Sequence, residues 1–282
     1  MRGCPKIRYV RRRMLVREME RSGHWLFRYR NHLPLLLVPL VVLALGQSGG
    51  LERTFGQSAE NVWDAMCFAI ALTGLAIRCL VVGYCPPGTS GRNSQEQRAL
   101  SLNTRGVYSV MRHPLYLGNL LIIVGAISLV EVWWLIALVA LGFWLYYERI
   151  IVAEEAFLEE RFGDRYREWA AVTPVFVPAL RRWRAPRRAF SVKKVLANES
   201  PTLAQIVVVF TLIALACDWV VWRRVEPRGV LLMAVSGLSL VVYFVLRAIR
   251  KKTRWLSSGG ADATTGRQGR VLPEMKPLPL EE

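Results

Sequence analysis

Six apolar runs separated by charged loops constrain what this 282-residue chain can fold into. They cover residues 33–46, 62–84 (broken by Asp64 and Arg78), 117–130, 133–147, 203–222 and 229–246. A helix that crosses a bilayer needs about 20 predominantly apolar residues. The last two runs meet that length as they stand. The middle pair reads as a tight helical hairpin around Glu131, extended by its flanks. The first run is short unless Trp25 to Phe27, or the residues after Gly46, lengthen it. Lipid offers the backbone no hydrogen-bond partners, so a spanning segment must satisfy its own N–H and C=O groups, as a helix does. The expected architecture is therefore all-α and integral to a membrane, with about six transmembrane helices.

The charge fits that architecture. A formal charge of +17 alongside 53% hydrophobic residues raises the question of nucleic-acid binding, and the position of the charges answers it. Residues 1–32 hold ten Lys or Arg, 85–112 four, 153–202 ten and 247–282 eight. The intervening loops hold only Arg53, Arg223, Arg224 and Arg228. This alternation is the positive-inside pattern. It puts both termini and the loops after the second and fourth runs on the cytoplasmic face, of the inner membrane if the source is bacterial. No nucleic-acid partner is expected. The five cysteines, Cys4, Cys67, Cys79, Cys85 and Cys217, form no Cys-x-x-Cys pair and read as reduced. With only His24, His32 and His113 available, no metal site is expected. Arg12-Arg13 is followed by charge rather than an apolar stretch, so no cleaved signal peptide is expected there.

The runs divide the chain. Residues 1–32 form a basic arm whose apolar positions Ile7, Val10, Met14 and Trp25 to Phe27 suit a helix on an anionic membrane surface, and suit a disordered basic arm equally. Residues 33–180 form the core. Within it, residues 85–105 are a long Pro/Gly/Ser-rich loop, the kind that is often functional. Pro114 fits the first turn of a helix and puts His113 at its entrance. Residues 148–171 continue as an amphipathic helix with Gly163 as a cap, and Pro174 and Pro178 make the next stretch extended. A basic linker, 181–202, leads to two further spans, 203–247, which read as an added module. The tail, 248–282, is expected to be disordered.

No dinucleotide-binding, Walker, zincin or nucleophile-elbow motif is present. What remains is His113, several tyrosines and the pair Glu154-Glu155, all beside apolar runs. Ionisable groups are expensive at such a boundary and are commonly functional there. The set suits a compact zwitterionic cofactor carrying an aromatic base: a carboxylate for its ammonium group and rings for a base or a cation. The same residues also suit a topological role, with Arg112-His113 anchoring a helix end and Glu154/Glu155 on a solvated face. The residues alone leave both readings open.

The order Gly106-x-Tyr108, Arg112-His113-Pro114-x-Tyr116-x-Gly118, a membrane hairpin, Glu154-Glu155, Phe162-Gly163-x-x-Tyr166 and a Pro-containing extended stretch resembles the isoprenylcysteine carboxyl methyltransferases and the related phospholipid methyltransferases. These are membrane enzymes that use S-adenosylmethionine. The resemblance covers roughly residues 60–180. It implies a cofactor site on 85–118 and 148–178, lined by Tyr108, His113, Pro114, Leu115 and Tyr116. Loop contacts would come from Leu100, Ser101, Leu102 and Asn103, an amide from Asn93, and Glu154 would hold the cofactor's amino group.

One position departs from the pattern. The prenylcysteine enzymes carry a substrate-contacting arginine four residues before the cofactor glutamate, and here that position is Ile150. The implied acceptor is then a lipid headgroup, phosphate or amine, rather than a prenylated protein. Arg92, Arg105, Arg112 and Arg149 lie near the site in sequence and can neutralise an anionic group, and among them Arg112 adjoins His113. An amine or thiol acceptor would have to lose a proton, and Glu148 and Glu155 are the candidate bases. The alternatives are a prenylcysteine methyltransferase and a non-catalytic membrane scaffold or lipid-binding protein. A transporter fits less well, because the spans hold few ionisable residues, chiefly Asp64, Arg78 and Asp218.

Overall fold

A computed structural model describes residues 18–29, 33–86, 101–225 and 227–252. The helices are α1 (residues 18–29), α2 (Leu37–Ala44), α3 (Gly50–Phe55), α4 (Gln57–Tyr84), α5 (Pro114–Ser128), α6 (Trp133–Phe162), α7 (Asp164–Val172), α8 (Val192–Trp222) and α9 (Pro227–Lys252). There is no strand among the described residues, only an isolated bridge between Gly106 and Arg184. Four helices, α4, α6, α8 and α9, are long and apolar enough to cross a membrane, and α5 is a shorter apolar helix. The chain is an all-helical integral membrane protein.

The first apolar run differs from the single helix expected. It breaks into a 3-10 turn (Leu33–Leu36), α2 and a second 3-10 turn (Leu45–Gln47), before α3. Pro34 and Pro39 remove two backbone donors, and Gly49 turns the chain at φ 77°. By contrast α4 runs unbroken for 28 residues, about 42 Å at 1.5 Å per residue. It stops because Pro86 disfavours helical geometry at the residue before it. Cys85 accordingly adopts an extended φ of −65° and ψ of 143°.

The pairing of α4 with α5 depends on small residues. A Cβ at Gly118 would lie 2.8 Å from the Gly74 carbonyl oxygen and 2.8 Å from Arg78 Cγ. Two helix backbones approach this closely only where side chains are absent, as is common in membrane bundles. The hairpin from α5 to α6 turns where the sequence places it. Glu131 takes φ 62°, and its carboxylate accepts from Leu51 N–H at 2.9 Å, while Trp63 Nε1 donates to the Ser128 carbonyl at 2.9 Å. These bonds offset the local strain of a non-glycine residue at positive φ.

Two apolar clusters form the interior. The larger joins Cys67 and Ala71 of α4, Ala126 and Ile127 of α5, Leu135 and Val139 of α6, and Ile206, Phe210 and Ile213 of α8. Helix α8 therefore shares the core of the rest. Helix α8 also begins earlier than the sequence suggested, at Val192, where Ser191 Oγ caps it by accepting from Lys194 N–H. The second cluster gathers Phe27, Tyr116, Phe143, Tyr146, Tyr147 and Ile150. Through it α1 packs against α6. Tyr146 Oη donates to the Leu26 carbonyl at 2.8 Å, and Gly23 sits directly against the Arg149 carbonyl.

The ionisable residues singled out within the spans, Asp64, Arg78 and Asp218, are paired. Arg78 makes two bonds to Glu199, of 2.9 and 3.1 Å, and also reaches Asn119. Arg228 meets Glu60 at 2.6 Å, Asp64 at 3.0 Å and Asp218 at 2.7 Å. Pairing of this kind is what makes charge tolerable at such depth. The outward faces are apolar, with Leu72, Leu80, Leu141, Leu145 and Phe244 exposed. Lipid is the environment that suits such a surface.

Candidate active site

Four segments converge at one end of the bundle. Pro114 opens α5, as its fixed φ favours. The residues before it are irregular, so their backbone donors need partners outside a helix. The extended chain after α7 supplies them. Arg112 N–H donates to the Pro174 carbonyl at 2.8 Å and His113 N–H to Val175 at 3.3 Å. In the same antiparallel sense Ala179 N–H donates to Val110 at 2.9 Å and Gly106 N–H to Arg184 at 2.8 Å. Residues 106–113 are thus fastened to 174–184, and His113 is fixed beneath α6.

There the two polar clusters of the sequence meet. His113 is only 6% exposed, and its Nε2 lies 3.1 Å from Glu155 Oε1. Its Nδ1 is 3.7 Å from Glu154 Oε2. Arg112 pairs with the same Glu155 oxygen at 2.9 Å. Tyr116 Oη donates to Glu154 Oε2 at 2.7 Å, and its ring stacks on His113 at 5.5 Å between centroids. Two buried donors nearby make no well-formed hydrogen bond, Arg112 Nε and Tyr166 Oη, and the Arg112 guanidinium lies beside the phenol. The Tyr166 phenol is pushed well above its ordinary range by burial and then by Glu155, so it stays protonated and able to donate. Burial, followed by Cys85 and Glu154, does the same to Tyr108.

Beside this cluster is a cavity of about 220 Å³. Its walls come from Leu80, Val81 and Tyr84 of α4 with Cys85 and Pro86 just after it, from the stretch between Ser101 and Tyr108, from Arg165 of α7, and from Pro186 to Arg188. Asn103 Nδ2 donates to Cys85 Sγ at 3.4 Å, tying two of these walls together. Tyr108 lines the cavity and feels the Glu154 charge, so it stands between the two features.

The residues picked out from sequence fall into three groups. Ser101, Leu102, Asn103 and Tyr108 line the cavity. Arg112, His113, Tyr116, Glu154 and Glu155 form the polar cluster, with buried Pro114 and half-buried Leu115 in the first turn of α5. Glu148 is exposed on α6, seven residues before Glu155, or about 10 Å along the axis. Asn93, Leu100 and Arg92 lie outside the described residues. Arg149 turns back to its own helix, with Nη1 on the Leu145 carbonyl at 3.0 Å. Sequence reasoning missed Tyr84, Arg187 and Arg188 in the cavity wall, and it had Cys85, Pro86 and Arg165 inside the expected site segments without singling them out. Arg187 and Arg188 sit in the stretch read as a plain linker, where Pro186 and Phe190 among the arginines were the available sign of a built segment.

Residues 66–165 match the phospholipid methyltransferase family model. A nickel-cobalt-cadmium resistance protein of Alcaligenes xylosoxydans xylosoxydans is 31% identical over 162 residues, covering 57% of this chain and 70% of that protein. The chain belongs to the phospholipid methyltransferase family. A cobalt-zinc-cadmium resistance protein of Cupriavidus metallidurans is 33% identical over 132 residues, or 46% of this chain and 58% of its own length. The protein-S-isoprenylcysteine O-methyltransferase of Schizosaccharomyces pombe is 32% identical over 79 residues, 28% of this chain and 34% of the enzyme. No solved structure matches significantly. The family match holds His113, Glu154 and Glu155 but ends before Tyr166 and before the extended segment that fastens the site. Among the described residues no group of His, Cys, Asp and Glu is placed to hold a metal ion.

Proposed function

We propose that this protein transfers a methyl group from S-adenosylmethionine to a lipophilic acceptor, a lipid headgroup phosphate or amine, at the cytoplasmic face of the membrane. The observation that carries the reading is the convergence of Glu154, Glu155, Arg112, His113 and Tyr116 beside a cavity at the membrane end of a phospholipid methyltransferase family fold.

The cluster fits the amino-acid end of the cofactor. That end is a zwitterion, and the site offers both complements. Glu154 is a carboxylate for an ammonium group. Arg112 Nε and Tyr166 Oη are buried donors that make no well-formed hydrogen bond, as a carboxylate requires. The rings of Tyr108 and Tyr116 offer π faces to a base or a sulfonium. Leu102 and Asn103 continue the wall, and Ser101, Leu115 and Pro114 complete the surround. Asn93 and Leu100 belong to the same proposed site by resemblance. When bound, the cofactor supplies an electrophilic methyl group on a positively charged sulfur.

The chain's own residues then position and desolvate. His113 and Arg112 hold Glu155 from two sides and fix its direction. An anionic phosphate acceptor needs no base, and alignment in a dry site does most of the work. An amine acceptor must lose a proton. Glu155 is the base placed for it, with Glu148 two turns away at the exposed surface.

One finding bears on the prenylcysteine alternative. Ile150, where those enzymes carry an arginine, has no exposed surface and packs with Phe27, Tyr146 and Tyr147. That environment favours a lipid acceptor over a prenylated carboxylate. The test is methyl transfer from radiolabelled S-adenosylmethionine into a total membrane-lipid extract by the purified protein in detergent. A labelled lipid is the expected result. Binding of S-adenosylhomocysteine without any labelled lipid would move the acceptor to prenylated proteins or small thiols. No binding would overturn the cofactor assignment.

A further inference from the structure

The cavity wall carries four arginines, Arg105, Arg165, Arg187 and Arg188, and no aspartate or glutamate. None of the four forms an ion pair with a described residue. A zwitterionic cofactor whose charges are met at the polar cluster does not call for this excess. The positive-inside rule accounts for arginines on this side of the membrane. It does not account for their gathering from three separate segments onto one concave surface without a counter-charge among the described residues.

Arg187 and Arg188 sit on a strap fastened at both ends. At its start, Arg184 N–H donates to Ser109 Oγ at 2.9 Å, and its carbonyl accepts from Gly106 N–H at 2.8 Å. At its far end, Ser191 N–H donates to the Gly83 carbonyl at 3.1 Å. The Phe190 ring meets Tyr84 edge-on at 5.1 Å between centroids and covers Gly83 so closely that a Cβ there would collide with it. Lys194 Nζ, just beyond, donates to the carbonyls of Cys85 and Pro86 in the cavity wall. The strap is held in place by bonds that involve neither arginine, and both guanidinium groups are exposed and make no ion pair with a described residue, which leaves them open to a ligand.

The opposite wall points to the rest of that ligand. Leu80 lines the cavity and is 43% exposed on the outer face of α4. Leu72, Ala76 and Leu80 are all exposed at a spacing of four residues, so they form an apolar stripe along α4 that ends at the cavity. Guanidinium groups beside such a stripe match an amphiphile with an anionic head, and their planar forks suit phosphate.

We infer that the mouth of this cavity binds the phosphate of an anionic lipid headgroup among Arg105, Arg165, Arg187 and Arg188, with the lipid chains along the Leu72–Ala76–Leu80 stripe. The inference deepens the methyltransferase reading, on which it rests for the lipid's role as acceptor. It makes the strap before α8 the element that selects anionic over zwitterionic headgroups.

The test is calorimetric titration of the full-length protein in neutral detergent. The ligands are dihexanoyl phosphatidic acid, dihexanoyl phosphatidylcholine, inorganic phosphate and, separately, S-adenosylhomocysteine. Phosphatidic acid is expected to bind about tenfold more tightly than phosphatidylcholine, and about tenfold more weakly to Arg187→Ala/Arg188→Ala, since charge-assisted contacts are lost. S-adenosylhomocysteine is expected to bind the variant as it binds the parent, which also shows that the variant is folded. Unchanged phosphatidic acid affinity in the variant, or equal affinity for phosphatidylcholine, overturns the inference. Inorganic phosphate binding as tightly as phosphatidic acid overturns the lipid assignment in favour of a free phosphate. Joint loss of S-adenosylhomocysteine and phosphatidic acid binding in the variant overturns it too, by assigning the arginines to the cofactor. If the parent fails to bind S-adenosylhomocysteine while phosphatidic acid binding keeps its arginine dependence, the methyltransferase reading falls and the anion site stands.

Discussion

Replacing Glu154 tests the proposed cofactor site most directly. Its carboxylate is 29% exposed and accepts one strong bond, from Tyr116 Oη at 2.7 Å. In the proposed complex it also meets the cofactor's ammonium group. Glutamine keeps the length and an acceptor oxygen, so Glu154→Gln retains the Tyr116 bond and loses only the charge. A hydrogen bond with an ionised partner contributes about 1.5–3 kcal/mol, roughly twice a neutral one. Glu154→Gln should therefore cost about 1–1.5 kcal/mol, or roughly a five- to tenfold weaker affinity for S-adenosylhomocysteine. Glu154→Ala removes the whole contact and should weaken binding about 10- to 150-fold. His113 keeps Glu155 as a partner in both variants, which limits the disturbance to the fold. The assay is calorimetric titration in detergent, with thermal unfolding of each variant as a control. Wild-type affinity in both variants would refute the reasoning. So would an affinity loss matched by an equal loss of thermal stability.

Three further expectations concern the frame of the site. Gly118→Ala places a methyl group 2.8 Å from the Gly74 carbonyl oxygen and should cost about 1–3 kcal/mol of stability through overpacking, read as a lower unfolding temperature; an unchanged midpoint would mean that α4 and α5 are further apart. Arg228→Met leaves Glu60, Asp64 and Asp218 without their shared cation and should destabilise by about 3–5 kcal/mol, with Asp218→Asn added in the same chain restoring part of the loss in thermal unfolding. Tyr166→Phe removes a buried hydroxyl that makes no well-formed hydrogen bond and lies beside the Arg112 guanidinium, so the unfolding temperature should hold while S-adenosylhomocysteine binds about tenfold more weakly; a drop in stability with unchanged affinity would make the hydroxyl structural.

Several parts of this arrangement were readable in the chain because their causes are local. The turn at Glu131 follows from two apolar runs that meet at a charge, and α5 begins where Pro114 permits. The Glu154-Glu155 pair stood out because two carboxylates at the end of an apolar run are costly without a partner, and the structure brings them to His113, Arg112 and Tyr116. The first run misled because its apolar content outweighed the punctuation of Pro34, Pro39 and Gly49 within and after it. The 181–202 stretch misled in the opposite way. Its arginines and lysines look like a solvated linker, yet half of it is the first part of α8 and the other half contributes Pro186, Arg187 and Arg188 to the cavity wall.

Sequence by itself determined that this protein is a helical membrane protein, roughly where its long helices run, and which polar residues need an explanation. Hydropathy and helix-ending residues act over a few turns, and their signals lie next to their effects. Only the tertiary structure decided which groups meet. Glu199 pairs with Arg78 across 121 residues, and Asp64 with Arg228 across 164. The strap at 184–191 folds back over the end of α4, and His113 comes to rest between Glu154 and Glu155. Each of these pairings is fixed by the packing of whole helices, because a charge near the membrane interior takes whatever partner that packing brings within reach, and no property of the residue alone names it.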